Sequence, residues 1–356
     1  MCEYLTETTD IFLISNYFTR GSFMEKNFLG ITTFGVFHIY FSSGNIYIRK
    51  FDKNKWSRCD LVLSSATSDF DVYCTDTSLF ILGEKTCGNL VLTEYTHRKR
   101  KQFHVLTSSR GTPSVSGIRL FYSAGNLNIF YILHHDNKKL LVRQAAPFTN
   151  APAVIDVLSN EHFGVFSDEK DRITIYYEKS GKPSKCIISQ SGAHDITPAA
   201  FHPLAALALE GRKQFLLRDG DRVMFGESIE SATAITDLSA KDAVSSLFVY
   251  KGKIYVVLIN GTSFYIFVSE DGGKSFKKTL PQIVTNAPEL KTLSVRKMGF
   301  DICLPCNAER GYIRSMVIPL EQIISLSSSS GKESIVKQIS DLEQKIAKLK
   351  KELEKY

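Results

Sequence analysis

The chain has 356 residues, of which 43% are hydrophobic and 23% charged, and its formal net charge is +7. This composition is that of a globular protein with a large core, and it excludes a chain that is disordered throughout. The basic residues are scattered apart from one short cluster, which argues against a nucleic-acid-binding protein. Phe and Tyr are abundant, with 24 and 15 residues, and this bias favours strands over helices.

The cysteines and the N-terminal segment indicate the compartment. Seven cysteines at irregular spacings predict no disulfide framework and hence a reducing environment. The first residues include acidic ones and precede only a brief apolar run, unlike a signal peptide. No run reaches the roughly 18 apolar residues of a membrane span. We therefore expect a cytoplasmic protein, or a part of a virion or phage particle, that is not secreted by a signal peptide.

In chain order, the main feature is a recurring pair of short apolar strands separated by a polar turn, the pattern of a β-hairpin. Most successive pairs begin about 33 to 52 residues apart, which fits the period of four-stranded propeller blades. The pattern occurs seven times, at Val36–Phe51, Asp69–Glu84, Ile118–Leu133, His162–Glu178, Leu204–Arg218, Ser246–Ile259 and Met298–Ile318.

The repeated hairpins predict an all-β fold, a β-propeller with seven blades. A small twisted sheet cannot bury both of its faces alone, whereas a ring of sheets covers each face with a neighbour. Six blades and a two-sheet sandwich are the alternatives. The segment Asp10–Asn16 precedes the first hairpin and could complete the last blade, which would join the chain ends. The predicted domains are the propeller at 1–324, a Ser-rich linker at 325–333 and a coiled-coil helix at 334–356.

A turn in the sixth hairpin region carries a family motif. The residues Ser269–Phe276 read Ser-Glu-Asp-Gly-Gly-Lys-Ser-Phe. Ser269 and Asp271 can accept backbone N–H bonds, Gly272 and Gly273 tolerate positive φ, and Phe276 can pack into the blade. This segment resembles the Asp-box (BNR) motif of sialidase-like and sortilin-like β-propellers. In that family the box is a structural turn remote from the active site, so the resemblance implies a fold rather than an activity.

The same resemblance allows a test for catalytic residues. Family enzymes use an arginine cluster, a Tyr nucleophile helped by Glu, and an acidic Asp. Their first arginine sits in an aromatic-Arg-Ile-Pro context, and Gly117–Phe121 departs from it. We therefore assign no catalytic residue. A hydrolase with a site in the central channel is the weakest of the functional hypotheses.

Other residues that could carry chemistry do not complete a site. Cys303 and Cys306 form a CxxC in the turn region of the last hairpin, which could be half of a zinc site, a redox pair or incidental. His134 and His135 follow a strand, and adjacent residues on an extended chain point to opposite sides. We predict no metal and no cofactor.

The one basic cluster follows His97 and comprises Arg98, Lys99, Arg100 and Lys101. Its position between two strands predicts a hairpin tip. It could contact an acidic surface, but no aromatic platform interleaves it, so recognition of nucleic-acid bases is not expected.

The C-terminal segment has helical periodicity. Its apolar residues alternate steps of four and three, the seam of a coiled coil, at Ile335, Ile339, Leu342, Ile346, Leu349 and Leu353. A helix of about three heptads is marginal alone and requires a partner. The core residues favour a dimer, and the flanking charges favour antiparallel or heterotypic pairing. Packing against the chain's own propeller is the alternative.

The sequence is compatible with three functions. The preferred hypothesis is a non-enzymatic interaction or scaffold propeller, made oligomeric or tethered to a larger assembly by its coiled coil. The alternative is a glycan- or receptor-binding propeller of sialidase-like descent in a phage or viral fibre. The third is the hydrolase. Expected partners are a second copy or another protein through the helix, and a glycan or acidic surface through the propeller.

Overall fold

The computed structural model describes residues 26–315 and residue 322. Short gaps within that range are 53–54, 109–113, 124, 149–150, 168–171, 190–193, 210–211, 220–221, 229, 237–243, 261–262, 280–281, 284–290, 298–299 and 310–311. Every element with defined bounds in this part of the chain is a β-strand, so the described protein is all-β. The predicted linker, the coiled-coil helix and the segment Asp10–Asn16 lie outside the described residues.

The strands form consecutive antiparallel units, which we number in chain order. The first unit contains β1 (Lys26–Thr32), β2 (Gly35–Ser42), β3 (Asn45–Asp52), β4 (Lys55–Trp56) and β5 (Asp60–Leu63). The second contains β6 (Ala66–Cys74), β7 (Ser78–Lys85), β8 (Leu90–Thr96) and β9 (Arg100–Leu106). The third contains β10 (Val115–Ser123), β11 (Asn126–His135), β12 (Lys138–Ala145) and β13 (Ala153–Leu158).

The remaining units continue the same meander. The fourth contains β14 (Phe163–Ser167), β15 (Ile173–Lys179), β16 (Lys182–Ile188) and β17 (His194–Pro198). The fifth contains β18 (His202–Leu209), β19 (Arg212–Asp219), β20 (Arg222–Gly226) and β21 (Thr233–Thr236). The sixth contains β22 (Val244–Tyr250), β23 (Lys253–Asn260), β24 (Ser263–Ser269), β25 (Lys277–Lys278) and β26 (Gln282–Ile283). The seventh contains β27 (Lys291–Lys297), β28 (Phe300–Glu309) and β29 (Tyr312–Ser315).

All seven predicted hairpins are confirmed as antiparallel strand pairs. They are β2–β3, β6–β7, β10–β11, β14–β15, β18–β19, β22–β23 and β28–β29. Apolar runs separated by polar turns made these hairpins visible in the sequence. Strands such as β1 and β11 are buried on both faces, with five and six consecutive buried residues.

The units are arranged in a ring. The inner strands contact one another in cyclic order, from β1 to β6, β10, β14, β18, β22 and then β28 of the seventh unit. The ring closes through a parallel pairing of β1 with β27, in register from Lys26 with Thr292 to Gly30 with Arg296. A ring of antiparallel meanders is the architecture of a β-propeller.

The closure joins two units into one sheet. The parallel pairing makes the first and seventh units a single eight-stranded sheet, with the order β29-β28-β27-β1-β2-β3-β4 and β5 paired with β3. The described residues therefore contain seven antiparallel units but six hydrogen-bonded sheets. The sequence left six or seven blades open, and the described residues have six sheets and seven antiparallel units.

The core lies between neighbouring units. Phe28 of the first unit and Phe70 of the second meet edge-to-face, with ring centroids 5.0 Å apart. Around them Ile39, Ile46 and Leu79 are fully buried. Burying a large apolar side chain contributes about 1.5–3 kcal/mol, so each unit depends on its neighbour for stability.

The inner edge of β10 has a second type of contact with the second unit. Asp71 Oδ2 accepts a bond from the backbone N–H of Leu120 at 2.8 Å, and Asp69 Oδ2 accepts one from Ile118 at 3.3 Å. Glu84 Oε1 accepts two further backbone bonds at the start of the strand, at 2.9 and 3.2 Å. A strand edge inside a ring has N–H groups without a ladder partner, and these carboxylates satisfy them.

Candidate ligand-binding site on the first unit

The turn that resembles the Asp box is held by its own side chains. Ser269, which is 1% exposed, accepts a bond from the backbone N–H of Gly273 at 2.8 Å and donates to Asp271 Oδ1 at 2.7 Å. The side chain and backbone N–H of Ser275 donate to Asp271 at 2.5 and 2.9 Å. These bonds hold the pKa of the Asp271 carboxyl well below its usual range.

The glycines and the aromatic residue of this turn complete it. Gly272 and Gly273 have φ angles of 72° and 93°, the left-handed region that favours glycine. Phe276 packs edge-on against Phe225 of the fifth unit, with ring centroids 5.4 Å apart. The turn thus connects the sixth unit to its neighbour, and its polar groups are occupied by one another rather than directed at a ligand.

The basic cluster lies at the hairpin between β8 and β9. Arg98, Lys99 and Lys101 are exposed. Arg100 is committed elsewhere: its guanidinium donates to two backbone carbonyls of β5, at 3.0 and 2.7 Å, and lies 5.4 Å from the centroid of Tyr95. Arg100 therefore attaches the second unit to the first, and three of the four predicted anion contacts remain available to solvent.

The CxxC does not lie in a turn, contrary to the sequence expectation. Cys303 and Cys306 are inside β28 and only 2% exposed each. Residues three apart on a strand point to opposite faces, so their thiols cannot bind one metal together. Burial raises the pKa of the Cys306 thiol. Within the described residues, no three His, Cys, Asp or Glu side chains are grouped as a metal site would require.

The other residues considered from the sequence are also dispersed. His134 Nε2 lies 2.8 Å from Ser116 Oγ, and His135 lies 3.2 Å from Asp136, its own neighbour in sequence. Arg119 donates to the backbone carbonyl of Ile118 at 2.7 Å. The oligomerisation residues from Ile335 to Leu353 lie outside the described residues. In the described part of the chain, no helix has the length and hydropathy to cross a bilayer.

A different group of residues forms the most distinctive surface of the first unit. It consists of His38, Tyr40, Tyr47, Arg49 and Trp56, which we call the aromatic–arginine cluster. The antiparallel register places His38 opposite Arg49 and Tyr40 opposite Tyr47, and the alternation of a strand directs all four to one face. The other face of the same strands carries Ile39, Ile46 and Ile48, which are buried in the core.

The rings of the cluster contact one another and remain partly open to solvent. Tyr40 stacks on Tyr47 with centroids 5.7 Å apart, and His38 stacks on Tyr40 at 4.8 Å. Trp56, from β4, meets His38 edge-on at 5.7 Å. The two tyrosines and Trp56 are half-buried. On its inner side Trp56 packs against the apolar core that contains Leu29, so the cluster lies where a packed face gives way to partly exposed aromatic rings.

Arg49 is at the centre of the cluster. It is 5% exposed, and its guanidinium carbon lies 4.8 Å from the centroid of Trp56 and 5.9 Å from that of Tyr40. Burial lowers the pKa of Arg49, but a guanidinium remains charged at any ordinary pH. The ring faces stabilise this cation through their quadrupoles. Among the described residues, no carboxylate forms an ion pair with Arg49.

His38 links Arg49 to the inner strand. Arg49 Nε donates to His38 Nδ1 at 2.9 Å, and His38 Nε2 lies 3.1 Å from Asn27 Oδ1. An arginine only donates, so Nδ1 must be the unprotonated nitrogen and Nε2 must donate to Asn27. Burial, reinforced by the charge of Arg49, places the pKa of His38 well below its usual value. The imidazole is therefore neutral and of one tautomer.

Tyr40 also contacts the edge of the cluster. Its hydroxyl lies 2.9 Å from the Sγ atom of Cys59, an exposed free cysteine. Burial and this hydrogen bond raise the pKa of Tyr40 to about 12. The phenol is therefore neutral and presents a donor and an acceptor at the surface.

The sequence interpretation did not identify this cluster. Its signal was present in the polar and aromatic residues that alternate along β2 and β3, and in Trp56, the only tryptophan of the chain. Alternation shows which residues share a face, but not whether that face is covered by another sheet.

Comparison with known proteins gives a likeness of fold only. No family model and no curated protein matches the chain. Among solved structures it is similar to a lectin of the fungus Aleuria aurantia, described as a six-bladed β-propeller with a novel fucose recognition mode. The identity is 10% and the TM-score 0.41, over 84% of this chain and 90% of the lectin.

Two other similar structures have different roles. One is a subtype N10 neuraminidase-like protein of A/little yellow-shouldered bat/Guatemala/060/2010, with 10% identity and a TM-score of 0.40, over 85% of this chain and 96% of that one. The other is a prolyl endopeptidase, with 11% identity and a TM-score of 0.47, over 80% of this chain and 45% of the enzyme. At these values the likeness assigns neither a ligand nor an activity to this chain.

Proposed function

We propose that this chain is a non-enzymatic, seven-bladed β-propeller that binds a glycan through its aromatic–arginine cluster. The proposal counts the first and seventh units as two blades that share one sheet. The observation that carries it is the group of half-buried rings of Tyr40, Tyr47 and Trp56 around the guanidinium of Arg49. Flat aromatic surface with a few oriented polar groups is the chemistry of small-ligand sites.

The physical fit to a sugar is specific. The C–H face of a pyranose ring is apolar and stacks on an aromatic ring, whereas its hydroxyls require donors and acceptors nearby. Tyr and Trp provide contact area with only two side-chain torsions to immobilise, so ordering them on binding costs little. The hydroxyl of Tyr40, beside Cys59, and that of Tyr47, beside the Asn45 amide, supply the polar contacts.

A glycan array followed by calorimetry on the full-length chain tests the proposal. We expect Trp56→Ala to weaken binding by tenfold or more, about 1.4 kcal/mol. Tyr176→Ala is the matched control, because Tyr176 is a half-buried tyrosine of the fourth unit that stacks on Phe201 without an arginine. Unchanged binding by the Trp56 variant, with its circular dichroism spectrum intact, would place the glycan elsewhere. No binding by the wild-type chain to any glycan would refute the function.

A second proposal concerns the number of binding sites. We propose that the heptad seam from Ile335 to Leu353 makes the protein a homo-oligomer, with a dimer favoured. Single glycan sites are commonly weak, and two linked sites bind a surface far more strongly than one. The scaffold and the glycan-binding hypotheses then describe one molecule. Its C-terminal helix joins two copies, so the assembly has two weak glycan sites instead of one.

The oligomer is tested in the full-length chain. Ile346→Asp with Leu349→Asp would place charges in the seam, and light scattering should then show a monomer where the wild type is a dimer. Binding to a dense glycan surface should fall strongly in this variant, while binding to a soluble monovalent glycan should not change. A monomeric wild type would exclude the homo-oligomer.

A further inference from the structure

One buried nitrogen of the aromatic–arginine cluster, Nη2 of Arg49, has no hydrogen-bond acceptor among the described residues. Arg49 is 5% exposed, and its Nη2 atom is buried without a hydrogen bond. The Nε atom of Arg49 donates to His38 Nδ1. A buried cation that lacks an ion-pair partner is costly, and the cost is offset here only by the rings of Trp56 and Tyr40 and by one neutral acceptor.

The guanidinium is also held in place before any ligand arrives. The chain of bonds from Asn27 through His38 to Arg49 Nε crosses the sheet from β1 to β3. A fixed guanidinium presents its remaining N–H groups in a planar fork, the geometry that matches a carboxylate. His38 is therefore a positioning residue for the donor that remains free.

The group that covers Arg49 is the Trp56 ring, which is held by packing against the core and against the Phe51 ring, 5.1 Å away. Trp56 belongs to the two-residue strand β4, whose register pairs it with Phe51 and pairs Lys55 with Asp52. Its ring is half-buried, whereas the guanidinium beneath it is almost fully buried. A change of side-chain rotamer at such a position on binding is common and requires little backbone movement.

We propose that the glycan bound by this cluster carries a carboxylate, as a uronic acid does, which pairs with Arg49 Nη2 when the Trp56 ring moves off the guanidinium and stacks on the sugar. This inference rests on the proposed function and narrows its ligand to an acidic sugar. The carboxylate supplies the counter-charge that the buried guanidinium lacks, and the sugar ring replaces part of the aromatic contact. No covalent step is involved.

The chain has one tryptophan, so its fluorescence reports this site without a label. We would titrate full-length protein with oligogalacturonate, alginate oligomers and hyaluronan oligomers, each compared with its own methyl ester. Esterification removes the negative charge and leaves the sugar ring unchanged. We expect at least one acid to shift the emission and to bind about tenfold or more tightly than its ester.

A matched pair of variants identifies the donor. Arg49→Lys keeps the charge but removes the planar fork, and it should lose most of the preference for acid over ester. Arg143→Lys is the control, because the guanidinium of Arg143 lies in the third unit and its Nε and Nη2 atoms both donate to Asn128 Oδ1, at 3.0 and 2.9 Å. It should keep the wild-type preference.

The outcomes separate this inference from the function on which it rests. If the wild type binds neutral glycans at the cluster and binds acids no more tightly than their esters, the carboxylate is wrong and the glycan function stands. If it binds no glycan at all, both fall. The comparison of acid with ester in the wild-type chain needs no variant, so it decides the question even if Arg49→Lys does not fold.

Discussion

Arg296 Nη2 and Asp71 Oδ1 lie 3.0 Å apart, although 225 residues separate them in the chain. Both residues are buried, with 7% and 1% of their surface exposed. Arg296 is on β27 of the seventh unit and Asp71 on β6 of the second, while the other carboxylate oxygen of Asp71 accepts the N–H of Leu120 in the third. One carboxylate thus connects three units at the point where the ring closes.

We expect Asp71→Asn to lower the free energy of unfolding by roughly 3–5 kcal/mol, because it removes the buried carboxylate charge that pairs with Arg296 and accepts the N–H of Leu120. Denaturant unfolding measures this loss. Lys253→Met is the control, since the pair of Lys253 with Glu270 is exposed and its removal should have little effect. A double variant, Asp71→Asn with Arg296→Met, should recover part of the loss. If the double variant loses as much free energy of unfolding as the two single variants together, Asp71 and Arg296 do not stabilise the fold through their mutual interaction.

His38 makes stability depend on pH. Its pKa is lowered well below 6.5 in the folded protein, whereas in the unfolded chain it is about 6.5. Between these two values the unfolded state binds a proton that the folded state does not. The contribution of His38 to stability is therefore complete above about pH 6.5 and is lost as pH falls towards the folded pKa.

His38→Gln should flatten this dependence, because glutamine can accept from Arg49 and donate to Asn27 without titrating. The measurement is the free energy of unfolding from pH 7.5 to 4.5, with His104→Gln, an exposed position, as the control. The control should retain the wild-type slope. Identical slopes for His38→Gln and the wild type would contradict a neutral, buried imidazole.

The two glycines of the turn after β24 provide a matched test of its packing. Both have positive φ, but a Cβ at Gly272 would meet nothing within 4 Å, whereas one at Gly273 would lie 2.2 Å from Phe225 Cε1. We expect Gly272→Ala to cost about 1 kcal/mol from backbone conformation alone. Gly273→Ala should cost roughly 1–3 kcal/mol more, because Phe225 must move. Thermal and denaturant unfolding measure both, and equal losses would mean that the phenyl ring yields freely.

Arg100 is expected to differ from its basic neighbours. Arg100→Met removes two bonds to the backbone carbonyls of β5 and should lower the free energy of unfolding by about 1–2 kcal/mol. Lys99→Met, on the same hairpin, should leave stability unchanged because Lys99 is exposed. Equal stability of the two variants would show that the bonds of Arg100 contribute nothing net.

The sequence by itself determined the local structure of this protein. Two short apolar runs separated by a polar turn mark each hairpin, so those from Val36–Phe51 to Met298–Ile318 could be recognised. The roles of Ser269 and Asp271 in the turn follow from short-range hydrogen bonding. These features depend on residues within a few positions of one another.

Only the tertiary structure decided how the units meet. The parallel pairing of β1 with β27, the pair of Asp71 with Arg296 and the burial of Cys303 and Cys306 inside a strand all depend on contacts between distant residues. The aromatic–arginine cluster belongs to the same class. Alternation placed His38 and Arg49 on one face, but which faces of a ring are covered depends on how the sheets pack around the axis, and no local pattern carries that information.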